Sequence, residues 1–215
     1  MILGIDEAGR GPVIGPMVMC GVVVEDGVGE QFRALGVKDS KLLTPDEREK
    51  LYPQILALVK SYKIVVLEAD VIDAAISSSA LNLNKLEAHT SADILNTLNP
   101  DAAIIDCPST NIKAYKDYLY HLLHNKKIVL TLEHKAERHM PVAAASVLAK
   151  VTRDRIIEDI KKKIGVDFGS GYMSDEKTQR FLFEFHEKYH NLFRKTWAPY
   201  QKVIEKKHQK RLGEF

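Results

Sequence analysis

The order in which apolar runs and helix punctuation follow one another leaves this chain few folds to choose from. Met1–Asp6 and Met17–Glu25 (MVMCGVVVE) are short apolar runs separated by a Gly/Pro-rich stretch, and they read as two strands joined by a structured loop. Thr44 then opens a helix, with Pro next and acids in the first turn, and Pro53 is expected to kink or break it. A strand at Lys63–Ala69, a helix at Asn82–Leu98, a strand at Ala102–Asp106, a helix at Ile112–His124 and a strand at Lys127–Leu132 follow. From Pro141 a long helix runs to a closing Gly165, and two more helical stretches cover Asp175–His190 and Pro199–Arg211. Two strands, then alternation, then helices alone make an α/β chain with one mixed sheet and a helical C-terminal part.

Its 215 residues, 45% of them hydrophobic, suffice for one good core, and a 28% charged fraction suits a soluble, folded protein. No apolar run approaches the roughly 20 residues of a membrane-spanning helix. The N-terminus has no basic region leading into an apolar block, so a cytoplasmic location and no membrane partner are expected. Cys20 and Cys107 form neither a CxxC pair nor a disulfide framework, and read as reduced, buried thiols. The net charge of +2 hides an asymmetry: from Lys188 to Phe215 eight Lys or Arg face two acids, Glu205 and Glu214. Such a region suits an anionic partner, although a solvated helix face is the plainer reading.

Acids recur where strands end. Asp6–Glu7 closes the first strand, Asp106 the fourth, and Glu137 follows the fifth. In an open α/β sheet the ends of neighbouring strands line one cleft. Four carboxylates meeting there would repel one another unless cations neutralised them. Oxygen-only ligands favour Mg²⁺ or Mn²⁺ over zinc, and two such ions about 4 Å apart can activate a water and stabilise the leaving oxygen of a phosphodiester. Taken singly, an acid at a strand end is more often a turn residue or a helix cap.

The motifs carry more than the spacing does. GIDEAGRGPVIGPMV near the N-terminus, GVKDSK (Gly36–Lys41), IID ending at Asp106, EHKA (Glu133–Ala136), VAAASVLAKVTRDR (Val142–Arg155) and DFGSGYMSD (Asp167–Asp175) resemble, in order, the motifs of the ribonuclease HII family, most closely its archaeal branch. The resemblance implies a ribonuclease H-like fold, a five-stranded mixed sheet flanked by helices, with a catalytic domain over residues 1–165 and a small helical substrate-binding segment over 166–215. It implies a monomer that cleaves the RNA strand of RNA/DNA hybrids. It further implies incision 5′ of ribonucleotides embedded in duplex DNA, leaving 5′-phosphate and 3′-hydroxyl ends with Mg²⁺ or Mn²⁺ as cofactor. Asp6, Glu7 and Asp106 match the first three of the family's four catalytic, metal-holding carboxylates. The fourth departs: the family reads HKAD, whereas this chain has HKAE, and the stretch up to AAAS is about one residue shorter. Glu137 is the expected fourth carboxylate; its extra methylene either compensates for the shorter stretch or displaces the second metal and slows turnover.

Substrate contacts follow from the same likeness. Gly9, Arg10 and Gly11 resemble the loop whose backbone approaches the 2′-hydroxyls, and Tyr172 the tyrosine at the ribose-to-deoxyribose junction. Lys38, Ser40, Lys41 and Lys135 are expected at phosphates, and His134 in a local hydrogen bond. The terminal QKRLGEF offers Gln209, Leu212 and Phe215 in the spacing of a sliding-clamp-binding peptide, one aromatic short of the usual motif. GRGPVIG lacks the endings of a nucleotide-binding loop. The competing readings are an integrase or resolvase of the same fold, which would cut all-DNA substrates, and a non-catalytic hybrid-binding or clamp-accessory protein.

Overall fold

The computed structural model describes the backbone of residues 1–212 and the side chains of residues 1–207. The chain forms β1 (Ile2–Ala8), β2 (Met17–Val24), α1 (Val28–Leu35), α2 (Pro45–Leu58), β3 (Ser61–Leu67), α3 (Ala69–Ser77), α4 (Leu83–Leu98), β4 (Ala102–Asp106), α5 (Ile112–Leu122), β5 (Val129–Glu133), α6 (Met140–Ile164), α7 (Glu176–Phe185) and α8 (Ala198–Leu212). The five strands lie in the order β3-β2-β1-β4-β5. β1 pairs antiparallel with β2 and parallel with β4; β2–β3 is antiparallel and β4–β5 parallel. The expected mixed sheet is therefore present, with helices on both faces. Among the described residues no helix is long and apolar enough to cross a membrane.

Burial on both faces explains why β1 and β2 read as continuous apolar runs rather than alternating ones. One face packs Leu3, Ile5, Met19 and Ile105 against α3, α4 and α5. The other packs Val18, Cys20 and Val22 against α1, α2 and the Ala143–Ala145 run of α6. Small residues let α6 lie very close: a Cβ at Gly4 would stand 2.2 Å from the backbone carbon of Pro141. A third apolar cluster joins Val13, Ile14 and Ile157 to Phe168, Phe181, Leu182 and Phe193, and so ties the C-terminal helices to the loop after β1.

Several local readings shift. Thr44 caps α2 in a reciprocal capping box with Glu47. That helix runs through Pro53, so of the two outcomes expected there the break does not occur. Pro53 lies on the exposed face, where the Glu49 carbonyl it deprives of a donor can turn to water, and the buried Leu51 and Ile55 hold both halves to the core. β1 extends to Ala8, so Asp6 and Glu7 sit inside the strand's last turn of pleat, opposite Cys20 and Met19. α1 and α3 were not expected. α1 is eight residues long between left-handed Gly27 and Gly36, with Phe32 its one buried side chain, too short for periodicity to stand out.

Candidate active site

Register brings the first carboxylates together. Ile5 pairs with Ile105 across the parallel β1–β4 ladder, so Asp6 and Asp106 leave neighbouring strands at the same level. β4 in turn pairs Asp106 with Glu133 of β5. Just beyond, Lys135 adopts a left-handed conformation (φ 58°), uncommon for a side-chain-bearing residue, and turns the chain into a tight 3-10 turn at Ala136–Arg138. That turn aims the Ala136 N–H at Asp106 Oδ1, 3.1 Å away, and buries Glu137. Glu133 ties the turn down by bonding both Arg138 and His139. His134 makes the local bond expected of it, with Nδ1 3.0 Å from the Cys107 carbonyl.

These anions sit in a poor environment for charge. Burial, reinforced by Asp106 and Glu137, pushes the Asp6 carboxyl up to about 8, although the Glu7 N–H donates to it at 2.7 Å. Burial, then Asp6, Glu87 and Asp106, raises Glu7 well above its ordinary range. Asp106 is raised by burial and by Glu137, against the Ala136 N–H and Lys41. Lys41 Nζ stands 3.2 Å from Glu137 Oε1. Because successive strand residues point to opposite faces, Asp6 looks toward α6 and Glu7 toward α4. Among the described residues no three His, Cys, Asp or Glu side chains converge closely enough to hold a metal ion as they stand. The donor set nonetheless suits a hard divalent cation: carboxylate oxygens only, largely buried, and mutually repelling.

The other sequence-predicted residues divide. Gly9 has φ 83°, and a Cβ there would collide with the Arg153 side chain, so the loop needs glycine at this position. Gly11 is exposed and abuts the Tyr172 ring: a Cβ on it would lie 3.6 Å from Tyr172 Cε1. The structure therefore places the Gly9–Gly11 loop and Tyr172 side by side. The Arg10 side chain turns to α4, its Nε 2.8 Å from Glu87 and its Nη2 2.8 Å from Asn84. Lys38, Lys41 and Lys135 are exposed, whereas Ser40 is buried and its hydroxyl accepts from Ser146 of α6 at 2.8 Å. Gln209 and Leu212 fall on the α8 backbone, and Phe215 lies outside the described residues.

Three of the buried charged residues not singled out in the sequence lie near the loop after β1. Glu87 is fully buried beneath Arg10, and Arg153 and Arg194 are buried behind the loop that follows β1. Nothing in the runs around them distinguishes them from surface charges. A cleft of about 860 Å³ opens beside Tyr172, between α2, α6 and residues 167–177. Lys150, Lys161, Lys162 and Lys177 are among its lining residues, and the acids Asp6 and Asp106 are not.

Comparison with known proteins identifies the family. The sequence model described as Ribonuclease HII matches residues 3–200. The ribonuclease HII of Pyrococcus furiosus is 44% identical, over 99% of this chain and 96% of its own length. The crystal structure of ribonuclease H2 from Pyrococcus horikoshii superposes with a TM-score of 0.85 at 37% identity, covering 95% of this chain and 97% of that one. The structure of the PCNA:RNase HII complex from Archaeoglobus fulgidus matches with a TM-score of 0.77 at 38% identity, over 86% of each chain. With its fold, its ordered motifs and near full-length likeness in agreement, the chain belongs to the ribonuclease HII family.

Proposed function

We propose that this protein is a divalent-cation-dependent endoribonuclease. It cleaves the RNA strand of RNA/DNA hybrids and incises 5′ of ribonucleotides embedded in duplex DNA, leaving 5′-phosphate and 3′-hydroxyl ends. The observation that carries this reading is the level placement of Asp6 and Asp106 on adjacent parallel strands, with Glu137 near enough to raise the proton affinity of both. Asp6, Glu7, Asp106 and Glu137 would hold Mg²⁺ or Mn²⁺. Bound there, such ions supply positive charge to the scissile phosphate and make an attacking water more acidic. Lys38, Lys41 and Lys135 draw in the sugar–phosphate backbone, which sets affinity and register without reading base sequence. The backbone of Gly9–Gly11 meets the 2′-hydroxyl that separates RNA from DNA. Tyr172, 37% exposed and held against Gly11, stacks at the junction where ribose gives way to deoxyribose.

A duplex carrying one ribonucleotide, incubated with Mg²⁺ or with EDTA, tests the reading. Cleavage only with the cation, and none of the all-DNA duplex, is the expected result. Cutting of all-DNA points instead to an integrase-like or resolvase-like enzyme, and binding without cutting to an accessory protein. In the same assay Tyr172→Ala is expected to lose about tenfold or more of the incision at the single ribonucleotide, on the scale of one lost aromatic stacking contact. Unchanged cleavage by that variant removes Tyr172 from the junction.

Clamp binding through the tail is a second proposed property, supported by the PCNA complex of the Archaeoglobus relative. Removal of residues 209–215 is expected to abolish pull-down by a sliding clamp and to leave hydrolysis of a short hybrid intact. A truncated protein that still binds the clamp refutes the tail's role.

A further inference from the structure

Seven residues after β1, 9–11 and 13–16, all offer their carbonyls to groups inside the protein. Arg194, fully buried, donates from Nη2 to the Gly9 carbonyl at 2.6 Å, from Nη1 to Arg10 at 2.8 Å and from Nε to Gly15 at 3.0 Å. Trp197 Nε1 donates to the Gly11 carbonyl at 3.3 Å, and the Arg194 guanidinium lies 5.0 Å from the Trp197 ring centroid. Arg153 reaches the carbonyls of Pro16 and Ile14, and the Arg194 N–H takes that of Val13. No carboxylate pairs with Arg153 or Arg194 among the described residues; their partners are neutral carbonyls.

This pattern fixes which way the peptide groups face. The peptide bonds are all trans, so the N–H of each residue points opposite to the carbonyl before it. Inward carbonyls at Gly9 and Arg10 therefore turn the N–H groups of Arg10 and Gly11 outward, and neither has an internal acceptor among the described residues. Two adjacent donors thus face the side where Gly11 is exposed and Tyr172 stands.

We infer that Arg194 and Trp197, from the segment between α7 and α8, are specificity-determining positioning residues that hold the Gly9–Gly11 peptides with their N–H groups toward the substrate's 2′-hydroxyl. The inference rests on the proposed ribonucleotide-directed activity. The C-terminal segment thereby takes part in telling RNA from DNA without touching the sugar. Lysine at 194 keeps a cation but cannot fork to three carbonyls at once. Phenylalanine at 197 keeps a ring beneath the guanidinium and loses only the N–H to Gly11.

The test measures dissociation constants for two duplexes of one sequence, all-DNA and singly ribonucleotide-substituted, in Ca²⁺ to suppress turnover. The readout is their ratio, which a general loss of folded protein does not move. Arg194→Lys is expected to lower the preference for the ribonucleotide duplex about tenfold and Trp197→Phe about threefold, the scale of one or two hydrogen bonds. An unchanged ratio in either variant, folded by circular dichroism, overturns the inference. Should Arg194→Lys fail to fold, Trp197→Phe decides alone. Wild-type protein that cleaves no ribonucleotide-containing duplex defeats the underlying reading instead, so the two failures remain distinct.

Discussion

Asp6→Asn is expected to abolish Mg²⁺-dependent cleavage, a loss of about 10³-fold or more by the scale of single groups that stabilise developing charge, and yet to stabilise the cation-free protein at alkaline pH. The second effect follows from linkage. Burial holds the Asp6 carboxyl at about 8 against an ordinary 3.8, so the folded state retains a proton that the unfolded chain releases. The stability this contributes is fully present below pH 3.8 and is lost as pH rises through the window to about 8. Near pH 8.5 the native protein carries a buried, repelled anion that asparagine lacks, worth about 2–4 kcal/mol after relaxation. In melting experiments with EDTA the variant should match the native protein near pH 4 and exceed it by about 5–10 °C at pH 8.5. Added Mg²⁺ should raise the native melting temperature far more than the variant's. A gap that stays constant with pH would contradict the uncompensated carboxylate.

Glu137 gives the second large effect. Glu137→Gln is expected to reduce turnover at least about a hundredfold while leaving the fold intact, since the amide keeps the size of the side chain and can still bond Lys41. Glu137→Asp is expected to retain cleavage. The Glu133 bonds to Arg138 and His139 hold the flanking turn, so a shorter side chain changes reach at one point without loosening the segment. Single-turnover rates at saturating Mg²⁺ distinguish the two variants. Near-normal rates for the glutamine variant would transfer the role to another group.

What the sequence revealed and what it concealed have separate physical causes. Strands buried on both faces announce themselves as unbroken apolar runs, which made β1 and β2 readable. Asp6 and Asp106 stood out because an acid ending such a run conflicts with its surroundings. Local rules also recovered the Thr44 cap and the Gly165 terminus, each a matter of neighbours in sequence. Pro53 left kink and break both open because its consequence depends on which face of α2 meets water, a tertiary fact. Glu87 looked like any acid on a half-exposed helix until Arg10, 77 positions away, was placed over it. Arg194 belonged by charge to a basic region suited to an outside partner, and its carbonyl partners lie more than 170 positions earlier in the chain. Buried ions are recognised by their company, which only the fold assembles.

The unbroken α6 has one further consequence. Ser146, hydrogen-bonded to Ser40 on the Asp6 side of the sheet, and Arg153, beneath the loop that follows β1, occupy one face of this helix about two turns, or roughly 10 Å, apart. With Asp6 at the scissile phosphate and Gly9–Gly11 at the sugar, as proposed above, a single stiff rod sets the distance between the two. The offset of the nick from the inspected nucleotide is then a built-in length, carried by the helix whatever the base sequence beneath it.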